Sequence, residues 1–171
     1  MVLKEIEEYN KENFKIALDK DSARLIYLLC KIKKIKNALE IGTGMGYSAI
    51  HLGLSCKNVI SIEKDERNLE IARKLIKKNS LRNIKIIEGD ALIEIPKLKD
   101  KFDLLFIDGT KREYLMYLKL ALPKLNKGAV IIADNTVSHK EKMKDFLEYI
   151  NKNFYTVELN IGSGMSLSYK E

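Results

Sequence analysis

The chain has 171 residues, 46% of them hydrophobic, and 31 Lys+Arg against 24 Asp+Glu give it a formal charge of +7. This length suits a single domain, 1–171, and the composition is neither disordered nor fibrous. No apolar run approaches the roughly 18 residues that span a bilayer, so no membrane partner is expected.

The start, Met1-Val2-Leu3-Lys4-Glu5-Ile6-Glu7-Glu8, is acidic and amphipathic and does not read as a secretory leader. Residues 1–36 are expected to form two or more helices in front of a core spanning 37–171. Cys30 and Cys56 each sit in apolar, helix-compatible surroundings and read as buried free thiols, which implies a reducing cytoplasm. The basic runs 31–36 and 73–78 keep helical apolar spacing and read as solvated faces. The net charge permits a nucleic-acid partner without demanding one.

From residue 37 onward, short apolar runs alternate with amphipathic stretches. The runs are 37–41, 59–62, 84–87, 102–107, 129–133, 155–159 and 165–169. The first five are short and nearly continuous, as strands covered on both faces should be. Helical spacing falls between them at 47–54, at 65–78 with Asp65 as cap, at 111–122 before Pro123, and at 138–151. The alternation implies right-handed crossovers in a parallel sheet. Only five residues, 160–164, separate the last two runs, which predicts an antiparallel hairpin at one edge. The fold class is therefore α/β: a doubly wound, Rossmann-like, seven-stranded sheet, mostly parallel, with helices on both faces.

In such sheets ligands bind beyond the carboxyl ends of the strands. The first loop there is Gly42-Thr43-Gly44-Met45-Gly46, where glycines allow a tight turn and close approach to a ligand. Its G-x-G-x-G spacing departs from the G-x-G-x-x-G of dinucleotide sites. Glu40 just before it would repel a pyrophosphate and attract an α-amino group. Glu63 ends the second strand, where an acid can accept ribose hydroxyls, and Lys64 follows it. In Gly89-Asp90-Ala91, Asp90 can accept from an adenine amino group or cap the next helix. The fourth and fifth strands end in Asp108 and in Asp134-Asn135, hard oxygen ligands suited to Mg²⁺.

Glu40-Ile41-Gly42-Thr43-Gly44-Met45-Gly46-Tyr47-Ser48, then Glu63 and Gly89-Asp90-Ala91, resembles the cofactor site of class I S-adenosylmethionine-dependent methyltransferases. Tyr47-Ser48-Ala49 and the D-x-x-K-x-x-Y pattern of Asp108, Lys111 and Tyr114 are similar to the catechol O-methyltransferase-like, metal-dependent family. The resemblance covers about residues 35–171. It implies that Glu40 and the glycine loop hold the methionine portion of S-adenosylmethionine, Glu63 the ribose and Asp90 the adenine edge. It also implies a metal triad of Asp108, Asp134 and Asn135, with Asp108 and Lys111 catalytic and Lys111 the candidate general base. Gly109 stands where the family often has a bulkier residue or Asp-Ala-Asp, and the stretch after Asn135 is short, which suits a more open site.

The expected function is methyl transfer to a hydroxyl with an adjacent oxygen, on a catechol-like small molecule. A tRNA methyltransferase acting on a hydroxylated wobble uridine is the alternative. Rivals from other classes are an RNA protein that binds the cofactor with little activity and an NAD-dependent dehydrogenase. His51 reads as structural, His139 as a surface residue with a place in the acceptor pocket wall as the alternative, and a homodimer is possible.

Overall fold

Every strand of a doubly wound sheet must present apolar side chains alternately to two layers, and the central strands do so. Leu39, Ile41, Leu105, Ile107, Ile131 and Ala133 belong to one core, while Ala38, Leu104, Phe106 and Ile132 belong to the other. The computed structural model describes residues 18–171. Its elements, in chain order, are α1 (Lys20–Lys33), β1 (Asn37–Ile41), α2 (Tyr47–Ser55), β2 (Asn58–Glu63), α3 (Glu66–Lys78), β3 (Ile84–Glu88) and α4 (Ala91–Lys97). There follow β4 (Phe102–Ile107), α5 (Tyr114–Ala121), β5 (Leu125–Asp134), α6 (Lys144–Asn153), β6 (Tyr155–Leu159) and β7 (Met165–Tyr169).

Among the described residues the seven strands form one sheet in the order β3-β2-β1-β4-β5-β7-β6. β1 through β5 are parallel, whereas β7 runs against both β5 and β6. Ala23, Ile26, Ala49, Ile50 and Ile76 bring α1, α2 and α3 onto one face, and Ile95, Tyr114, Leu118, Phe146 and Ile150 bring α4, α5 and α6 onto the other. The winding reverses between β1 and β4. The loops after them therefore part toward opposite faces and leave a crevice at their carboxyl ends.

Several boundaries differ from the sequence reading. α1 is the one described helix of the predicted N-terminal group, and residues 1–17 lie outside the described residues. β5 begins four residues before the predicted start, because Asn126-Lys127-Gly128 joins the strand through an irregularity. Gly128 takes φ 79 and its N–H donates to the Lys170 carbonyl at 2.7 Å, while the register with β4 shifts. The stretch 111–122 splits into a 3-10 turn, Lys111–Glu113, and α5, and a second 3-10 turn, Leu122–Lys124, accommodates Pro123. Asp65 caps α3 as expected, accepting from Arg67 N and Asn68 N, and both cysteines are buried free thiols. No helix among the described residues is long and apolar enough to cross a membrane.

At the amino ends of the strands, Asp103 ties three elements together. Its Oδ2 accepts from Lys36 N (3.1 Å) and Asn37 N (3.0 Å), and its Oδ1 accepts from Asn126 Nδ2 (2.8 Å). Asp103→Ala should lower the unfolding free energy by about 1–2 kcal/mol in urea titrations. It should leave ligand binding unchanged, because the residue sits at the opposite end of the sheet from the crevice.

Candidate functional site

The crevice is a cleft of ≈ 720 Å³ lined by the glycine loop, Tyr47, Ser48, Glu63, Asp108, Lys111, Asp134 and Asn135 among others. Its floor is set by the approach of two loops. Gly42 N–H donates to the Ile62 carbonyl and Asp108 N–H to the Ile41 carbonyl, at 2.9 and 2.8 Å. The loop after β4 thereby lies directly against Gly42, whose φ is +91; a Cβ there would stand 2.3 Å from the Asp108 carbonyl oxygen. Only glycine fits. Gly46, with φ +92, packs on Ala72 of α3, where a Cβ would lie 3.1 Å from its Cα.

Glu40 does not line the cleft. It is fully buried behind the loop, where its partner across the parallel ladder is Ser61. Ser61 Oγ donates to Glu40 Oε2, Thr43 Oγ1 bonds to Ser61 Oγ, and Glu40 Oε1 has no hydrogen-bond partner. Burial pushes the Glu40 carboxyl up to about 7, against the hydroxyls of Ser48 and Ser61 that favour the anion; Asp108 and Glu63 raise it further.

Glu63 is held hard in place. Oε2 accepts from Gly44 N at 2.8 Å and Oε1 from Lys64 N and Asp65 N at 2.8 and 2.9 Å. Three of the roughly four acceptor sites of a carboxylate are thus in use, which leaves room for one ligand hydroxyl rather than two. Beyond Glu63 a second lobe of ≈ 220 Å³ is lined by Ile62, Lys64, Gly89, Ala91, Gly109 and Tyr117, and shares Gly42, Glu63 and Asp108 with the first. Asp90 acts as the α4 cap, its Oδ1 accepting from Leu92 N at 2.8 Å. Gly109 lies under the Tyr117 ring, where a Cβ would meet Cε2 at 3.0 Å. Tyr117 therefore fills the space a bulkier residue would need.

At the other end of the cleft stand the strand-end acids. Asp108 Oδ1 accepts from Lys111 Nζ at 2.8 Å, and Lys111 Nζ sits 5.5 Å from the centroid of the Tyr114 ring. The buried Tyr114 hydroxyl donates to the Asp134 carbonyl oxygen (3.3 Å), so the D-x-x-K-x-x-Y motif clasps the two acid loops together. Burial pushes the Asp134 carboxyl up to about 7, with the Asp108 charge adding to the effect; Asp108 is likewise raised by burial, against the pull of Lys111. Asp134 Oδ1 is buried without a partner. Asn135 lines the cleft with φ +64, a left-handed conformation that Asn tolerates better than most residues. Two mutually repelling carboxylates, one with an unmatched oxygen, beside an amide are a fitting donor set for a hard divalent cation. Among the described residues no cluster of three or more His, Cys, Asp or Glu forms, so Asn135 is needed to complete a trio.

Some residues reach the cleft without having been singled out. Asp19 caps α1 and lines the opening, and Ser163, in the β6–β7 turn, lies opposite. That turn holds the loop after β5, with Thr136 N–H donating to the Gly164 carbonyl at 3.0 Å. A Cβ on Gly164 would stand 2.5 Å from Val137 N, and one on Gly162 would overlap Asp19 Oδ2 at 1.8 Å. Gly162-Ser163-Gly164 was the signal, since paired glycines at a hairpin mark close backbone approach. His139, for which the sequence left a surface position and the pocket wall open, is half-buried, lines the cleft and pairs Nδ1 with Ser138 Oγ at 2.9 Å.

A family model described as O-methyltransferase matches residues 1–163. A probable cobalt-precorrin-6B C(15)-methyltransferase (decarboxylating) of Sulfolobus acidocaldarius is 30% identical over 168 residues, covering 95% of this chain and 86% of that protein. A catechol O-methyltransferase of Niastella koreensis is 32% identical over 130 residues, covering 71% of this chain but only 59% of its own length. The crystal structure of a Bacillus cereus O-methyltransferase in complex with SAH superposes with a TM-score of 0.88 at 26% identity, covering 99% of this chain and 90% of that one.

Two outcomes follow from the site geometry. Gly42→Ala should displace the Asp108 loop and weaken ligand binding in the cleft by roughly tenfold or more, as titration calorimetry would register. Glu40 binds a proton in the folded protein between its ordinary 4.5 and about 7, so its contribution to stability is full below that window and is lost as pH rises through it. Glu40→Gln should flatten the fall of unfolding free energy between pH 5 and 7 by about 1 kcal/mol per pH unit.

Proposed function

Taking as premise that the chain belongs to the O-methyltransferase family and is an S-adenosylmethionine-dependent methyltransferase, we propose that it methylates a hydroxyl oxygen beside a second oxygen, as on a catechol-like small molecule. The observation that carries this reading is the pairing of Asp108 with Asp134 at the end of the cleft next to the glycine loop, with Asp134 Oδ1 unmatched.

S-adenosylmethionine supplies a methyl group on a sulfonium, and the chain's task is to place an oxygen in line with it. The smaller lobe, between Glu63, Gly89, Ala91 and Tyr117, takes the adenosine end, and the main lobe beside Thr43 and Ser48 takes the aminoacyl end. Glu63 orients the ribose through its remaining acceptor site. Asp108, Asp134 and Asn135 would hold a divalent cation such as Mg²⁺, which when bound supplies charge stabilisation for an acceptor oxyanion and a template for two adjacent oxygens. Lys111 lies at hydrogen-bond distance from Asp108 on the cleft wall; after giving one proton of its ammonium to solvent, the neutral amine would take the acceptor's proton. The Tyr114 clasp keeps the two acid loops at fixed separation through proton transfer.

A larger acceptor is the second reading. The loop after Asn135 turns back onto Ser163 and Gly164 instead of extending over the cleft, and the chain matches the precorrin methyltransferase relative over 95% of its length. The net charge of +7 keeps a tRNA bearing a hydroxylated uridine in the same class of candidates.

Label transfer from S-adenosylmethionine should be measured on a catechol, on total tRNA and on a tetrapyrrole, each with Mg²⁺ or with chelator. Transfer to the catechol that chelator abolishes is the expected outcome, whereas chelator-resistant transfer to RNA or tetrapyrrole alone overturns the proposal. Asp134→Asn should lower metal-dependent turnover by roughly a hundredfold while donor affinity changes less than about threefold.

A further inference from the structure

A chain of hydroxyls can carry a direction. Ser61 has one hydroxyl hydrogen, and it is donated to Glu40 Oε2. With Glu40 as the carboxylate, the bond between Ser61 Oγ and Thr43 Oγ1, for which either oxygen can be the donor, takes its hydrogen from Thr43. Thr43 lines the cleft at 2% exposure and, with its own hydrogen turned inward, has none left to donate to a ligand. Were Ser61 absent, that hydroxyl would be free to rotate and to point a donor at the ligand. All three groups are buried: Glu40 and Ser61 fully, Thr43 to 2% exposure. No water need be invoked to explain the order of the bonds.

We infer that Ser61 is a positioning residue: by relaying the Glu40 carboxylate to Thr43, it fixes that hydroxyl as an acceptor-only group for the ammonium end of the methyl donor. The inference rests on the proposed placement of the aminoacyl arm in the main lobe. It also gives the buried acid a role compatible with its position. Glu40 acts through two hydroxyls that stand between it and the ligand, without touching the ligand itself. The cross-strand pairing of Glu40 with Ser61 supplies the register the relay needs, because β1 and β2 bring these two residues level on the same face of the sheet. The relay discriminates by hydrogen-bond polarity. An ammonium offers three donors and meets acceptors, whereas a ligand lacking that group gains nothing from the fixed direction.

Two ligands separate this role from general support of the fold: S-adenosylhomocysteine, which carries the aminoacyl arm, and 5′-methylthioadenosine, which lacks it. By titration calorimetry, Ser61→Ala should weaken S-adenosylhomocysteine by roughly tenfold and 5′-methylthioadenosine by less than about twofold. Thr43→Val, which keeps the shape of the side chain at the cleft wall, should show the same selective loss and provides the test if Ser61→Ala does not fold. Ser61→Thr retains the hydroxyl and should restore the affinity for S-adenosylhomocysteine. Equal losses for both ligands, or no loss for either, overturn the relay. A native protein that binds 5′-methylthioadenosine but not S-adenosylhomocysteine overturns the relay and leaves the adenosine lobe standing. A native protein that binds neither overturns the donor site itself, and the relay with it.

Discussion

The close approach of the Asp108 carbonyl to Gly42 is the constraint on which the rest of the site depends. β1 and β4 are adjacent parallel strands with Ile41 level with Ile107, so the loops that leave them start side by side. One loop turns toward α2 and the other toward α5, on opposite faces of the sheet. The gap between them is the cleft, and its width is set where the backbones touch. The glycine loop and the acid loop consequently form one rigid frame. A methyl donor seated on one and an oxygen held at the other would have a distance between them fixed by the backbone, which is what an in-line displacement requires.

The electrostatics of the cleft run against those of the whole molecule. The chain as a whole is basic, yet Asp19, Glu63, Asp108 and Asp134 line the main lobe, Glu40 lies just behind it, and the basic side chains facing them are Lys111 and His139. Burial holds the carboxyls of Glu40 and Asp134 near neutrality, and the Asp108 charge works against both. A bare pocket of this kind is unfavourable on its own and is relieved by positive charge, which a sulfonium, an ammonium and a divalent cation would each bring. The surface charge of the chain therefore says little about what its cleft accepts.

Much of this arrangement was legible in the sequence, because it depends on local patterns. Short apolar runs, an acid before a glycine loop and acids at the ends of later runs are visible without coordinates. The residues that escaped are those whose role depends on register or on distant contact. Ser61 is an unremarkable serine until β1 and β2 are aligned, and Asp19 and Ser163 share one cleft only because the terminal turn folds back onto the start of α1. The depth of Glu40 escaped for a similar reason: its place before the loop is visible in sequence, whereas alternation along β1 sends its side chain beneath the loop, into the layer under α1 and α2.

The β6–β7 turn also has a consequence for synthesis. Residues 161–164 brace the loop after β5 and press against Asp19 at the other end of the chain. β7 must in addition slot between β5 and β6 before the outer edge of β5 is covered. A nascent chain that has released everything up to α6 from the ribosome would have its glycine loop and all five parallel strands, yet one wall of the cleft would still be missing. Competence to bind would thus arrive late and in a single step, when the last hairpin emerges and closes the pocket against the first described helix.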